Sequence, residues 1–421
     1  MIGLAVPPRI PARLRADSER VVITGLGVFS SIAIGATEFA AGLRAGRSGV
    51  SPITVFDTEG YDRSLGCEVR GFEPARWIER QEVDSLGRAT QFSVAAARMA
   101  VRDAGLSDAE LAGRRVQISI GTTDGESGDL DRLAATWVQS GPAAMQSELA
   151  TRVPTGRLSA AVAQEFGLHE AEALSVATAC SAGNYAIGNG FDALRVGDAD
   201  LAICGGADAM CRKSFTAFYR LGTIAPDCCR PFDKDRQGIL TGEGAGVMVL
   251  ERLDSALARG ARIYAEVLGY GLSCDAFHPV SPEQSSIVRC MRSALDDAGV
   301  DPVEVDLISA HGTGTKTNDV TESRAIREVY HGEPPRAISL KSMLGHTMGA
   351  ASALAAIACS LAITHEFIPP TINHRTTDPE CEIDCVPNVA VPAQLDIVQN
   401  NGLAFAGNNA VVVLGKYRTK E

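Results

Sequence analysis

Short runs of strand-forming, buried-type residues alternate with helical runs of apolar periodicity along most of the chain, and the alternation occurs in both halves. A strand is expected over 21–27, ending in a glycine turn and followed by an amphipathic run to Leu43. Over 88–104, Phe92, Ala95, Ala96, Met99 and Ala100 recur at helical spacing and stop at Gly105. Strands are expected over 116–120 and 201–204, and after Cys180 a helix carries Ile187, Phe191, Leu194 and Val196 to a stop at Gly197. The second half follows the same scheme. Ile287, Met291, Ala294 and Leu295 mark a helix ended by Gly299, strands follow over 305–310 and 336–340, and Leu354, Ile357, Ala358 and Leu361 mark a last helix. Buried strands alternating with helices imply parallel sheets covered on both faces. Residues 125–170 lack the pattern and are expected to form a cap and dimer-interface insertion. Residues 1–19, with Pro7, Pro8 and Pro11, read as a frayed arm.

At 421 residues the chain can bury an extensive core, and 45% hydrophobic with 21% charged residues is a globular composition. The formal charge of −12 argues against nucleic acid, whose phosphates require a basic face. The longest apolar run, 350–364, falls short of the roughly 18 residues of a membrane span. The first residues offer too short an apolar stretch for a signal-peptide core, so a cytoplasmic location is expected. Eleven cysteines lack paired metal-ligand spacing and read mostly as buried thiols; no metal site is expected.

One cysteine stands apart. Cys180 ends the apolar run that begins at Leu174 and is followed at once by Ser-Ala-Gly and a helical stretch. A thiol delivered to a helix N-terminus is expected to have a lowered pKa and to act as a nucleophile. His311, in His-Gly-Thr-Gly-Thr, and Lys341 with His346, in Lys-Ser-Met-Leu-Gly-His, lie in glycine-rich turns where backbone can crowd a ligand. Each residue alone is compatible with a structural role: a core thiol, a core imidazole, a surface lysine.

Five motifs in order join them: Thr178-Ala-Cys-Ser-Ala-Gly183, Arg230-Pro-Phe-Asp233, Gly242-Glu-Gly-Ala-Gly246, His311-Gly-Thr-Gly-Thr-Lys-Thr-Asn-Asp319 and Lys341-Ser-Met-Leu-Gly-His346. Together they resemble the β-ketoacyl-acyl carrier protein synthases, the elongating ketosynthases of the thiolase superfamily, from Val21 to Asn409. The resemblance implies a thiolase-like, pseudo-duplicated α/β fold of five layers, α-β-α-β-α. An N-terminal half over 20–265 would carry the nucleophile, and a C-terminal half over 266–421 the histidines and lysine. It implies that Cys180 accepts an acyl chain from a carrier thioester and that His311 and His346 hydrogen-bond the malonyl thioester during decarboxylation. Lys341 would be a buried ammonium paired with Glu322. Thr313 and Thr315 would hold the phosphopantetheine arm, and Phe405 would be a gate whose amide joins that of Cys180 as an oxyanion hole. No cofactor is implied beyond the phosphopantetheine of the acyl carrier protein. The partners implied are that carrier and a second subunit, giving a homodimer or a heterodimer with a chain-length-factor homologue.

Two departures stand out. Ala404 and Ala406 occupy positions the family commonly fills with glycine, and Asp124 falls where it lines the acyl pocket with an apolar residue. The Asp124 region and the segment from Arg375 to Asp384 look closer to polyketide than to housekeeping fatty-acid enzymes. A coenzyme A thiolase would need a second catalytic cysteine, and Cys381 and Cys385 lie in a different motif. A non-catalytic chain-length subunit would lack the nucleophile that Cys180 supplies.

Overall fold

Ten strands form one mixed sheet in the computed structural model, which describes residues 15–418. The first half contributes Val21–Phe29 (β1), Val116–Gly121 (β2), Ala171–Val176 (β3), Leu201–Asp208 (β4) and Gly244–Arg252 (β5). The second contributes Ala265–Cys274 (β6), Leu307–Ser309 (β7), Arg336–Ile338 (β8), Ile397–Gly402 (β9) and Asn408–Gly415 (β10). Their order is β8-β7-β9-β10-β6-β1-β5-β4-β2-β3. Outward from the β1–β6 joint, where Val21 faces Val267 and Ile23 faces Ala265, each half runs first, fifth, fourth, second, third. Directions repeat as well: in each half the three outer strands are parallel and the two inner pairings antiparallel. The expected parallel pairing holds for the outer strands of each half and is corrected for the inner ones. Burial on both faces reports the layers above and below a strand and carries no information on its direction.

The helices used below are Ala36–Arg44 (α1), Arg88–Asp103 (α2), Ser127–Ser140 (α3), Arg157–Phe166 (α4), Ala182–Val196 (α5), Arg212–Arg220 (α6), Gln284–Ala298 (α7), Lys316–Val329 (α8) and Ala351–His365 (α9). Five layers result: α2 and α4 outside the first half-sheet, α5 and α9 between the half-sheets, α7 and α8 outside the second. This is the thiolase-like arrangement. α9 is apolar on all sides because both of its faces are covered. With the turn before it, Met348–His365 is 18 residues long with mean hydropathy 1.5, long and apolar enough to cross a bilayer, yet 83% buried in the fold. The preceding turn extends the apolar run 350–364 to that length, and the burial makes it a core helix.

α5 and α9 cross closely at Gly183, where a Cβ would lie 2.6 Å from the Ala353 nitrogen. That contact brings the start of α5, and so Cys180, against the second half. The arm expected over 1–19 lies outside the described residues as far as residue 14. Arg15 is buried, donating to the Leu268 and Asp297 carbonyls, so that part is docked and not frayed. Within 125–170, α4 belongs to the outer layer, whereas α3 leaves Trp137 60% and Val138 84% exposed.

Candidate active site

β3 delivers the chain to the site. It is the outermost strand, with Leu174 41% exposed, so the apolar run before Cys180 lies at a sheet edge. Ala179 takes a left-handed φ of 53°, and a 3-10 turn, Ala179–Ser181, then leads into α5. This places Cys180, 5% exposed, at the helix start. Ser181 Oγ donates to the Asn408 carbonyl at 2.7 Å, and Asn184 Nδ2 to those of Asn400 and Ala410. The nucleophile-bearing helix is thereby tied to β9 and β10.

The expected lowering of the thiol pKa is corrected. Burial pushes Cys180 up to about 11, outweighing the Lys341 charge and the amides of Phe405 and Cys180 itself, which pull it down. Both amides act on the Cys180 sulfur.

β7 and β8 carry the other two turns. His311 and Gly312 donate their amides to the two oxygens of Glu322, at 2.7 and 2.8 Å. Asn318 and Asn401 donate to the same carboxylate from the side. Lys341 Nζ donates to the His311 carbonyl at 2.5 Å and lies 3.4 Å from its Nδ1. Among the described residues Glu322 and Lys341 form no ion pair. Two backbone amides and two carboxamides already occupy the carboxylate, and the ammonium turns to His311 instead, which corrects the pairing read from the sequence.

Both imidazoles are held neutral: burial, then the Lys341 charge, lowers His311 and His346 well below the ordinary value. His346 Nδ1 accepts from the Met348 amide at 3.1 Å, and His311 Nδ1 faces the ammonium, so in both rings Nε2 carries the proton. The ring centroids are 5.6 Å apart, edge to face. Cys180 Sγ and one nitrogen of each histidine lie within 4.8 Å of one another. Such a group could ligate a cation by distance, but a buried ammonium beside His311 makes added positive charge there unfavourable.

The cavity over these groups is lined by Thr313, Thr315, Phe405 and Phe218. Thr313 and Thr315 share a hydroxyl hydrogen bond of 2.9 Å, and Thr315 also caps α8, so its structural and lining roles coexist. The Phe405 ring lies 5.5 Å from that of Phe218. Phe218, Thr223 and the 280–282 loop were missed in the sequence, since nothing local marks residues that meet the cavity only through folding. Of the two glycine-like positions, Ala406 has φ 60° and Ala404 φ −136°, so only Ala406 takes the left-handed conformation. Asp124 does not line this cavity: its carboxylate pairs with Lys213 and accepts from Ser214 on α6.

A buried thiol at a helix start and two neutral imidazoles facing one cavity, on a duplicated thiolase-like fold, are the arrangement of an acyl-transferring condensing enzyme. The chain belongs to the β-ketoacyl synthase family: residues 18–256 match the Beta-ketoacyl synthase N-terminal domain, and 264–375 its C-terminal domain. It is a ketosynthase of the acyltransferase class. The 3-oxoacyl-[acyl-carrier-protein] synthase 2 of Synechocystis sp. is 36% identical over 413 residues, covering 96% of this chain and 99% of that protein. Nodulation protein E of Rhizobium sp. (strain N33) is 40% identical over 408 residues, 93% and 98% of the two chains. Among solved structures, the ishigamide ketosynthase/chain length factor is similar at TM-score 0.94 and 62% identity, covering 95% of this chain and 99% of that one. A type II polyketide ketosynthase bound to its acyl-carrier protein, AntDE:AntF, is similar at TM-score 0.87 and 31% identity, covering 95% and 99%.

Proposed function

We propose that the protein elongates a carrier-bound acyl chain by decarboxylative condensation with a malonyl-carrier thioester. Cys180 sulfur attacks the acyl thioester; the acyl–sulfur bond to the carrier breaks, and the carrier leaves as a thiol with the proton Cys180 gave up. The malonyl thioester then places its carbonyl oxygen between the Nε2 protons of His311 and His346. Those bonds stabilise the enolate formed as carbon dioxide departs. The enolate carbon attacks the acyl carbonyl, whose oxygen is held by the Cys180 and Phe405 amides, and the Cys180 sulfur is released and reprotonated. The observation that carries this reading is the convergence of Sγ and two neutral imidazoles within 4.8 Å. Lys341 holds His311 in place, and Thr313 and Thr315 line the path for the phosphopantetheine arm.

No step asks for a metal or redox cofactor. The carrier is the partner, and carrier proteins of this kind are acidic. A shallow groove sharing Thr317 with the cavity mouth presents Lys234 and Lys316, neither in an ion pair among the described residues, which supports docking of an acidic protein there. Likeness to a ketosynthase/chain length factor at 62% identity supports the polyketide branch and a heterodimer over a homodimer. The exposed β3 edge supports a second subunit on that side. The two-part division, 20–265 with the nucleophile and 266–421 with the histidines and lysine, belongs to the same reading and is supported by the repeated strand order. A cytoplasmic location fits a substrate presented by a water-borne carrier. The test is reconstitution: with acyl- and malonyl-carrier supplied, chain-extended product and released carbon dioxide are expected, and neither appearing, alone or with a co-expressed homologue, would reject the reading.

A further inference from the structure

We propose that Asp208 is a positioning residue for His346, fixing through the 347–349 turn which imidazole nitrogen faces the substrate. The inference rests on the reading of His346 as an Nε2–H donor. Asp208 ends β4 and is 1% exposed. One oxygen accepts from Thr122 Oγ1 at 2.5 Å and the Asp124 amide at 3.2 Å; the other accepts from the Thr123 amide at 2.7 Å and the Gly349 amide at 2.6 Å. No cation pairs with it among the described residues, so four neutral donors from two separate turns set its position.

The Gly349 bond matters for chemistry because of what precedes it. Met348 has a left-handed φ of 51°, costly for a residue with a side chain, and in that conformation its amide reaches His346 Nδ1. Once Nδ1 is an acceptor, the proton must sit on Nε2. The turn is also wedged: a Cβ on Gly349 would lie 2.4 Å from Thr122 Cα, and one on Gly206 2.4 Å from the Gly349 carbonyl oxygen. Asp208 thus connects the turn after β2 to the turn that orients His346. Both of its oxygens must accept, a requirement asparagine cannot meet. Its NH₂ would face amide or hydroxyl donors on one side.

The test is Asp208→Asn in the full-length protein with its carrier substrates, read three ways. Malonyl-carrier decarboxylation should fall about 10-fold or more in kcat with KM little changed, while acyl transfer to Cys180 stays within roughly 3-fold of the parent. Imidazole ¹⁵N spectra should show His346 as the Nε2–H tautomer in the parent and a mixture in the variant. A folded variant with parental decarboxylation and a parental tautomer overturns the proposal. If that variant does not fold, Thr122→Val leaves the carboxylate in place and removes the hydroxyl that donates to Asp208 and accepts from the Gly125 amide, and a smaller loss with the same split between half-reactions is expected; parental values overturn it. A parent that does not decarboxylate would fault the ketosynthase reading alone, because the tautomer readout still decides the role of Asp208.

Discussion

Lys341 grips one histidine twice, its ammonium donating to the His311 carbonyl at 2.5 Å while standing 3.4 Å from the ring Nδ1. Glu322 holds the same loop from the other side through the His311 and Gly312 amides. The two charges thus brace one turn in parallel, with different consequences when either is removed.

Glu322→Ala leaves two buried amides without acceptors, at about 1–3 kcal/mol each, and should be strongly destabilised in denaturant unfolding. Lys341→Met removes a desolvated ammonium along with its hydrogen bond and should unfold within about 1.5 kcal/mol of the parent while losing about 10²-fold in condensation. Equal destabilisation by the two changes would mean that they act as a direct pair.

Burial sets the pH behaviour of the nucleophile. With Cys180 pushed up to about 11, its alkylation by iodoacetamide should rise about tenfold per pH unit through pH 9, with no plateau near neutrality. Lys341 pulls that value down, so Lys341→Ala should slow alkylation further at any fixed pH below it. A plateau below pH 8 in the parent would contradict the assignment.

The histidines act in the opposite range. Their folded pKa values lie below the unfolded value of about 6.5, so the unfolded chain binds more protons once pH drops below that point. The stability contributed by keeping them neutral is present above about pH 6.5 and is lost as pH falls below it. Decarboxylation, needing neutral rings, should show no acid limb centred at 6.5. Such a limb would mean that the rings are open to water.

The loop after β9 gives a paired test of backbone strain. Ala406→Gly places glycine at φ 60° and should relieve about 1 kcal/mol, whereas Ala404→Gly, at φ −136°, should stabilise nothing and cost about 0.5–1 kcal/mol through chain entropy. Hydrogen exchange of the loop and thermal unfolding decide. If both changes shift stability alike, left-handed strain at Ala406 is not what distinguishes them.

Much of this was legible before the fold was known. The strands and helices around β1, β2, β4, α2, α5, α7 and α9 follow from apolar periodicity, and the five motifs mark the turns that the structure gathers around one cavity. β5, β6, β9 and β10 went unread, because Val247, Val249, Val267, Val411 and Val413 lie in glycine- or asparagine-flanked runs whose partners are far away in sequence. The pairing of Glu322 was misassigned for a related reason. A carboxylate on α8 can serve the backbone of the turn preceding its own helix, and side-chain charge alone does not reveal backbone donors. Asp124 likewise found Lys213, a partner 89 residues away.

The most direct test of the account separates the two half-reactions in four proteins: the parent, Cys180→Ala, His311→Ala and His346→Ala. Intact mass after mixing with acyl-carrier should show one acyl adduct in the parent and in both histidine variants, and none in Cys180→Ala. Carbon dioxide release from malonyl-carrier should fall about 10²-fold in both histidine variants. An acyl adduct that persists without Cys180, or histidine variants that lose self-acylation as fully as decarboxylation, would contradict the division of labour between one thiol and two neutral imidazoles.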